Sequence, residues 1–141
     1  VRESGIFDSV LDTCYCAVQG CLESTCSGTA LAVLTKHIFG KETKLSNQEL
    51  FEQANAGNAK AELCTDFFLT MLIRALNQFV YLFCPDIIVI GGGVANSLKP
   101  ALPRLNEELL AKVYTKHKVA VRISALKEDA GIIGAAAQFF S

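Results

Sequence analysis

The chain carries almost no excess of either charge. Thirteen lysines and arginines stand against fourteen aspartates and glutamates, which gives a formal net charge of −1. A balance of this kind leaves no basic field that would release counterions from nucleic acid or bind an anionic membrane. We therefore expect small molecules or proteins as partners, and no direct nucleic-acid contact from this segment.

The sequence also lacks an uninterrupted apolar run long enough to span a membrane. Its most apolar stretch, residues 64–84, contains Asp66, Arg74, Asn77 and Gln78, and each of these side chains is costly in lipid. The pattern predicts a core helix and no membrane partner.

A secretion signal is missing from the first residues. The chain opens with VRESGIFDSV, which has neither an initial methionine nor a basic segment followed by an apolar one. We expect a chain truncated at its N-terminus, from a cytoplasmic protein whose six cysteines are reduced thiols.

Internal repeats and linkers rich in glycine, serine or proline are absent as well, so nothing divides the chain into independent units. What is present is apolar: hydrophobic residues make up 51% of the 141, and the mean hydropathy is +0.34. This apolar surface is enough to offset the chain entropy lost on folding. One globular unit is predicted.

Two helices are predicted before residue 58 from their capping signals. An apolar run over residues 29–39 follows a serine-glycine pair and ends at Gly40, a residue suited to a left-handed helix end. The second helix follows Ser46, with Glu49 three residues on as its capping-box partner and Gly57 at its close.

A third, longer helix is predicted over residues 58–83, where apolar side chains recur every three or four positions and polar side chains line the other side. Pro85 ends it. The apolar stripe consists of Phe68, Leu72, Leu76, Phe79 and Phe83.

Two short strands are predicted after this helix. Residues 86–90 form a β-branched run between a proline and three glycines, which is typical of a strand buried on both faces of a parallel sheet. Residues 118–124 predict the second strand. A helix containing LNEELLAKVY, capped by Asn96 or Ser97, lies between them, and AGIIGAAAQFF forms a last helix capped by Asp129.

Two strands are too few for a sheet covered on both faces. We expect the missing strands before Val1 or in another chain, and therefore an α/β fold with an incomplete sheet.

Three thiols lie close together near the start of the chain. Cys14, Cys16 and Cys21 fall within eight residues, and Glu23 follows them. A tetrahedral Zn²⁺ site gathers its ligands from short loops of this kind. The alternative is that they are free cysteines behaving as small hydrophobes. A fourth ligand would be Cys26, water, or a histidine outside this chain.

The segments CYCAVQGCLES and SGTAL resemble the CxCGxxGCxE signature of the ROK family. This family comprises sugar kinases and sugar-responsive repressors built on the actin-like ATPase fold, which is related to ribonuclease H. PDIIVIGGGV and DAGIIGAA resemble the family's nucleotide-side strand and terminal helix, in the same order. The resemblance implies that residues 1–141 are the helix-rich C-terminal part of such a domain.

The resemblance also implies roles for single residues. Cys14, Cys16 and Cys21 correspond to the family's zinc ligands, and Glu23 to the glutamate that hydrogen-bonds sugar hydroxyls. A carboxylate accepts two hydroxyl donors, which suits that role. The alternative for Glu23 is a carboxylate that interacts with the dipole of the following helix.

Two positions depart from the family pattern. Glu3-Ser4-Gly5-Ile6 occupies the place of the family's ExGH motif, which makes Glu3 a second candidate sugar contact but puts Ile6 where the zinc-binding histidine belongs. Zinc occupancy is therefore in question. Ala17 stands where the family has glycine, which would strain the loop if that position needs a positive φ.

A glycine triplet, Gly91, Gly92 and Gly93, follows the first predicted strand. Glycines at the end of a strand let backbone amides approach a nucleotide. The triplet fits neither the Walker nor the Rossmann pattern; by resemblance it lies beside the adenosine of ATP, and the alternative is a tight strand-helix turn. Gly131 and Gly134 indicate a closely packed neighbour of the last helix.

The resemblance implies an ATP- and Mg²⁺-dependent kinase of a hexose or amino-hexose. The phosphate-binding DxGxT loop and the aspartate general base have no counterpart in this sequence, so we assign no catalytic residue here. The alternatives are a sugar-sensing repressor and a degenerate, noncatalytic module. Apolar surface on residues 58–84 and on Phe139 and Phe140 would either pair subunits in a homo-oligomer or cover the missing half of the sheet.

Overall fold

The structure is a computed structural model, and it describes residues 14–18, 20–115, 117–126 and 129–139. The predicted order of helices and strands is confirmed, with a short first helix and a 3-10 helix in addition. The helices are α1 (Leu22–Cys26), α2 (Gly28–Phe39), α3 (Asn47–Asn55), α4 (Ala59–Phe83), a 3-10 helix (Ala95–Ala101), α5 (Leu102–Lys112) and α6 (Ala130–Ala137), and the strands are β1 (Ile87–Ile90) and β2 (Ala120–Ile123).

Gly40 ends α2 and Ser46 caps α3, as the sequence predicts, whereas the C-cap of α3 is Ala56, one residue before the predicted Gly57. Gly40 ends α2 with a φ of 105°. In α3, the Ser46 hydroxyl accepts a hydrogen bond from the Glu49 backbone at 3.2 Å, and the Glu49 carboxylate accepts one from the Ser46 backbone at 2.8 Å. This reciprocal capping box lowers the pKa of Glu49, chiefly through the backbone hydrogen bond.

Helix α4 forms the centre of the hydrophobic core. It begins after Asn58, whose side chain accepts from two backbone amides, and ends at Cys84 in the left-handed conformation, just before the predicted stop. Phe68 is buried and meets Phe51 of α3 edge-on, with ring centroids 6.3 Å apart. Helices α1, α2, α3 and α5 all pack against α4.

The apolar stripe predicted on α4 is wrong at its C-terminal end. Phe79 is 38% exposed and Phe83 is 73% exposed. Val80, between these two phenylalanines, is only 2% exposed and belongs to the core, so the last turns of α4 bury a different face from the predicted one.

By length and composition alone, α4 is also apolar enough to cross a membrane. Its inward face, including Ile73 and Leu76, is buried in the protein core. This burial is what an amphipathic core helix shows, in agreement with the interpretation of residues 64–84.

Strands β1 and β2 pair in parallel, with Ile87 opposite Ala120. Ile88 and Ile90 pack against the core, but Ile87 and Val89 are exposed. The prediction of a strand buried on both faces is therefore wrong for the part of the chain that the structure describes. Alternate side chains of a strand point to opposite faces, and the elements described here cover only one face of these two strands.

The edge of β2 that faces away from β1 is closed by a side chain of α5. The Asn106 amide donates to the Val121 carbonyl at 3.1 Å and accepts from the Val121 N–H at 2.8 Å. This contact satisfies both outward backbone groups of one edge residue. In the part of the chain that the structure describes, no strand pairs with the outer edge of β1, so this is the side on which the sheet can extend.

Asn96 and Ser97 do not cap the helix that follows them, and Asp129 stands at the predicted N-cap position without a capping hydrogen bond. Asn96 and Ser97 lie inside the 3-10 helix, and α5 begins at Leu102 with Pro103 in its first turn and no side-chain cap. Asp129 precedes α6 but makes no capping hydrogen bond. Its φ and ψ of −78° and −6° are helical, whereas a capping side chain needs an extended backbone to reach the first turn.

Helix α6 has no buried residue. A Cβ added at Gly131 or Gly134 would meet nothing within 4 Å, so the close neighbour predicted from these glycines is not found among the described residues. Ile132 is largely exposed as well.

Candidate functional site

The three predicted thiols converge on one point. A tight turn closes when the Ala17 N–H donates to the Cys14 carbonyl at 2.9 Å. The Sγ atoms of Cys14, Cys16 and Cys21 all lie within 4.8 Å of one another, and those of Cys14 and Cys16 are 3.0 Å apart. Cys14 is buried, Cys16 is exposed and Cys21 lies between these extremes.

The thiols of this cluster differ in acidity. Hydrogen bonding with the Cys16 side chain, and then with Cys21, raises the pKa of Cys14 to about 12. The pKa of Cys21 is lowered to about 7, because its thiolate accepts hydrogen bonds from the Cys14 side chain and from the Ser24 backbone. The cluster therefore contains one sulfur that is readily deprotonated near neutral pH, as a metal ligand must be.

The geometry of these sulfurs fits a zinc ion. Zn–S bonds near 2.3 Å in a tetrahedral site place sulfurs about 3.8 Å apart, so the three thiols need to move by only about 1 Å. Cys26 is not a member of this cluster; it packs against the core, and burial raises its pKa. Among the described residues, no fourth His, Cys, Asp or Glu joins the three.

The concern about Ala17 is confirmed. Its φ is 59°, in the left-handed region that glycine adopts without strain. An alanine in this conformation costs about 1–2 kcal/mol. The backbone of the thiol loop therefore has a positive φ at Ala17, the position where the family pattern has glycine.

Glu23 is positioned by the thiol loop. The Cys21 Sγ accepts a hydrogen bond from the Ser24 N–H at 3.4 Å and so acts as the N-cap of α1, and Glu23 lies in the first turn of that helix. Its side chain is exposed and makes no hydrogen bond or ion pair with any other described residue. Glu3 and Ile6 lie outside the described residues.

The glycine triplet forms an open turn at the C-terminal end of β1. Gly92 has a φ of 82°, and a Cβ added at Gly92 or Gly93 would meet nothing within 4 Å. A Cβ at Gly91 would lie 3.7 Å from Ser124, which follows β2. The carboxyl ends of parallel strands, where this loop lies, are where open α/β sheets bind ligands.

A contact that the sequence did not predict joins the glycine loop to α2. A Cβ built at Gly28 would lie 3.5 Å from the Val94 Cβ and 3.3 Å from the Asn47 amide nitrogen. That amide donates to the Gly28 carbonyl at 3.0 Å. The starts of α2 and α3 and the end of the glycine loop therefore meet at Gly28, six residues after the start of the helix that carries Glu23.

A concavity of about 450 Å³ lies between α3, α4, the 3-10 helix and α5. Asp66 and Arg104 lie at its rim as an ion pair, and Glu108 pairs with the same guanidinium. This ion pair is half exposed, so it contributes little stability.

The fold is that of the helix-rich part of an actin-like ATPase domain with an incomplete sheet. A family model of the ROK family matches residues 6–140. The chain belongs to the ROK family, as the thiol, glycine and terminal-helix motifs indicate.

Characterised relatives are sugar kinases. The chain is 29% identical over 137 residues to a glucokinase of Thermotoga maritima, and the match covers 87% of this chain and 43% of that protein. It is 31% identical over 90 residues to an N-acetyl-D-glucosamine kinase of Salmonella paratyphi B, over 64% of this chain and 29% of that protein.

A solved structure agrees with these relatives. A ROK hexokinase from Thermus thermophilus matches with a TM-score of 0.71 and 29% identity, over 88% of this chain and 41% of that one. The chain thus spans less than half the length of each of these three proteins.

Proposed function

We propose that the protein containing this chain is an ATP-dependent kinase of a hexose or amino-hexose, and that residues 1–141 form the C-terminal segment of its ROK-type domain. The observation that carries the proposal is the meeting of the glycine loop with the start of α2 at Gly28. Val94 directly follows the glycine triplet, and Gly28 begins α2 directly after α1, the helix whose first turn carries Glu23.

On the sugar side, Glu23 is the candidate contact. An exposed carboxylate without a hydrogen-bond or ion-pair partner among the described residues is available to accept hydrogen bonds from two sugar hydroxyls. Its position follows from Cys21, which caps α1 two residues earlier. Glu3 is proposed as a second sugar contact on the family resemblance alone.

On the nucleotide side, Gly91, Gly92 and Gly93 are the candidate contacts. Open space above Gly92 and Gly93 leaves their backbone free to lie against an adenosine. Bound Mg²⁺ would neutralise charge on the ATP phosphates during transfer. The general base is expected in the part of the protein outside this chain.

Zinc is proposed as a structural ion held by Cys14, Cys16 and Cys21. Bound zinc would fix the turn that ends at the α1 cap. The fourth ligand would be water or a residue outside the described part of the chain, because Ile6 takes the place of the family's histidine.

The repressor alternative gains no support from the relatives, which are named as kinases.

We further propose a cytoplasmic homo-oligomer. Its support is the exposed apolar surface at the end of α4, where Leu82 and Phe83 are both more than two thirds exposed.

The test is ADP release by the full-length protein with ATP and Mg²⁺, with glucose or N-acetylglucosamine as the acceptor. We expect sugar-dependent ADP formation. Gly92→Ala should weaken the binding of an ATP analogue by about tenfold, because the free loop would relax away from the φ of 82° and binding would have to restore it at a cost of about 1–2 kcal/mol. Gly57→Ala is the matched control, because Gly57 has a similar φ of 85° outside the glycine loop, and it should leave the binding nearly unchanged. Sugar binding without ADP formation, combined with DNA binding, would favour the repressor.

A further inference from the structure

Cys16 differs from the other cysteines in combining exposure with a neighbouring sulfur. Of the six cysteines, Cys16 and Cys84 are exposed. Cys84 lies at the end of α4, and its side chain makes no contact with another sulfur within hydrogen-bonding distance in the described part of the chain. A dissolved oxidant reaches both, but only Cys16 has a second thiol beside it.

That second thiol is Cys14. Its Sγ lies 3.0 Å from the Cys16 Sγ, and a disulfide bond is about 2.05 Å long, so about 1 Å of movement would join the two. The turn closed by the hydrogen bond between Ala17 and Cys14 holds both residues on one short arc of backbone. Cys14 is buried and Cys21 is only partly exposed, so Cys16 is the sulfur of the cluster that a dissolved peroxide reaches most easily.

From this geometry we propose that Cys16 is a site of oxidative modification by peroxides, and that Cys14 resolves it to a Cys14–Cys16 disulfide. In the first step the Cys16 sulfur attacks the peroxide, the O–O bond breaks, and Cys16 becomes a sulfenic acid while an alcohol or water leaves. In the second step the Cys14 sulfur attacks the Cys16 sulfur, the S–O bond breaks, and the oxygen leaves as water with the Cys14 proton. Two thiols lose two electrons, and the peroxide gains them.

The same two sulfurs are proposed zinc ligands, so oxidation and zinc binding exclude each other. A thiolate ligand cannot at the same time be half of a disulfide. Because Ile6 stands where the family has a histidine, one ligand is missing that would help to keep zinc bound and so protect the sulfurs from oxidation. Disulfide formation would leave Cys21 alone at the cap of α1, and thereby couple the redox state of the loop to the helix that carries Glu23. The proposal does not rest on kinase activity.

The test uses the full-length protein, reduced, stripped of metal with a chelator, and exposed to hydrogen peroxide. Alkylation and peptide mass mapping should find Cys14 and Cys16 joined, with a mass lower by two hydrogen atoms, and Cys84 either alkylated or as an unresolved sulfenic acid. A persistent sulfenic acid on Cys16, or a disulfide mainly between Cys16 and Cys21, would overturn the assignment.

Two variants sharpen this result. In Cys14→Ser the Cys16 sulfenic acid should accumulate and be captured by a sulfenic-acid-specific reagent, whereas Cys84→Ser, the matched control, should leave the yield of disulfide unchanged. Zinc at ten times its dissociation constant should slow disulfide formation about tenfold. An unchanged rate of disulfide formation in the presence of zinc would contradict the competition between zinc and oxidation. The peptide mapping of the protein without substitutions does not depend on whether either variant folds.

Discussion

Removing the methyl group of Ala17 tests the backbone conformation of the thiol loop. Its φ of 59° costs an alanine about 1–2 kcal/mol relative to the ordinary helical region. Glycine has no such cost, but it loses more backbone freedom on folding, by roughly 0.5–1 kcal/mol. The difference predicts that Ala17→Gly raises the free energy of unfolding by about 0.5–1 kcal/mol.

Equilibrium urea unfolding of the full-length protein measures this change. A higher midpoint with an unchanged m-value would report a gain in stability alone. The matched control is Ala75→Gly in the middle of α4, where the same substitution should lower the free energy of unfolding by about 1 kcal/mol. The two variants are therefore expected to shift the midpoint in opposite directions.

The refuting result is a loss of stability at both positions. It would mean that Ala17 has an ordinary backbone conformation in solution and that the thiol loop does not keep the shape described here. Because the two substitutions remove the same methyl group, a general effect of glycine on the unfolded chain cannot produce opposite signs.

Three further predictions concern a helix end, a helix start and the core. Cys84→Gly should stabilise the protein by about 0.5–1 kcal/mol, since Cys84 ends α4 with a φ of 47°. Ser46→Ala should lower the free energy of unfolding by about 1 kcal/mol. Because the capping box lowers the pKa of Glu49, the stabilisation from the ionised Glu49 is complete above the ordinary glutamate pKa and is lost as the pH falls through the lower pKa of the folded state. Urea unfolding at a series of acidic pH values measures this loss. Leu105→Ala, at a fully buried position, should cost about 2–5 kcal/mol in the same assay, and a cost below about 1 kcal/mol would contradict the packing of α5 on α4.

The helices were predictable because their signals are local. The capping box at Ser46 and the break at Pro85 depend on neighbours in sequence, and the structure confirms both. The errors lie where burial depends on distant parts of the molecule. Val89 has the β-branched side chain of a buried strand, yet it is exposed because nothing in the described chain covers that face.

The candidate site was predictable in its parts and not in their arrangement. The spacing of the cysteines was enough to predict a cluster of thiols, because a short loop keeps its side chains close. The junction of Gly28, Asn47 and Val94 joins three segments from separate parts of the chain. Asn47 follows a capping serine, and no local pattern marks its bond to a carbonyl nineteen residues away.

The central claim is that the thiol loop and the cap of α1 present Glu23 to a sugar. Glu62 is a matched control, because it is also an exposed glutamate in the first turn of a helix. Isothermal titration of the full-length protein with its sugar should show binding weakened about ten- to a hundredfold by Glu23→Gln, the loss of a charged hydrogen-bond acceptor, and unchanged by Glu62→Gln. Equal sugar affinities in the two variants would mean that Glu23 only interacts with the dipole of α1, and would contradict the claim.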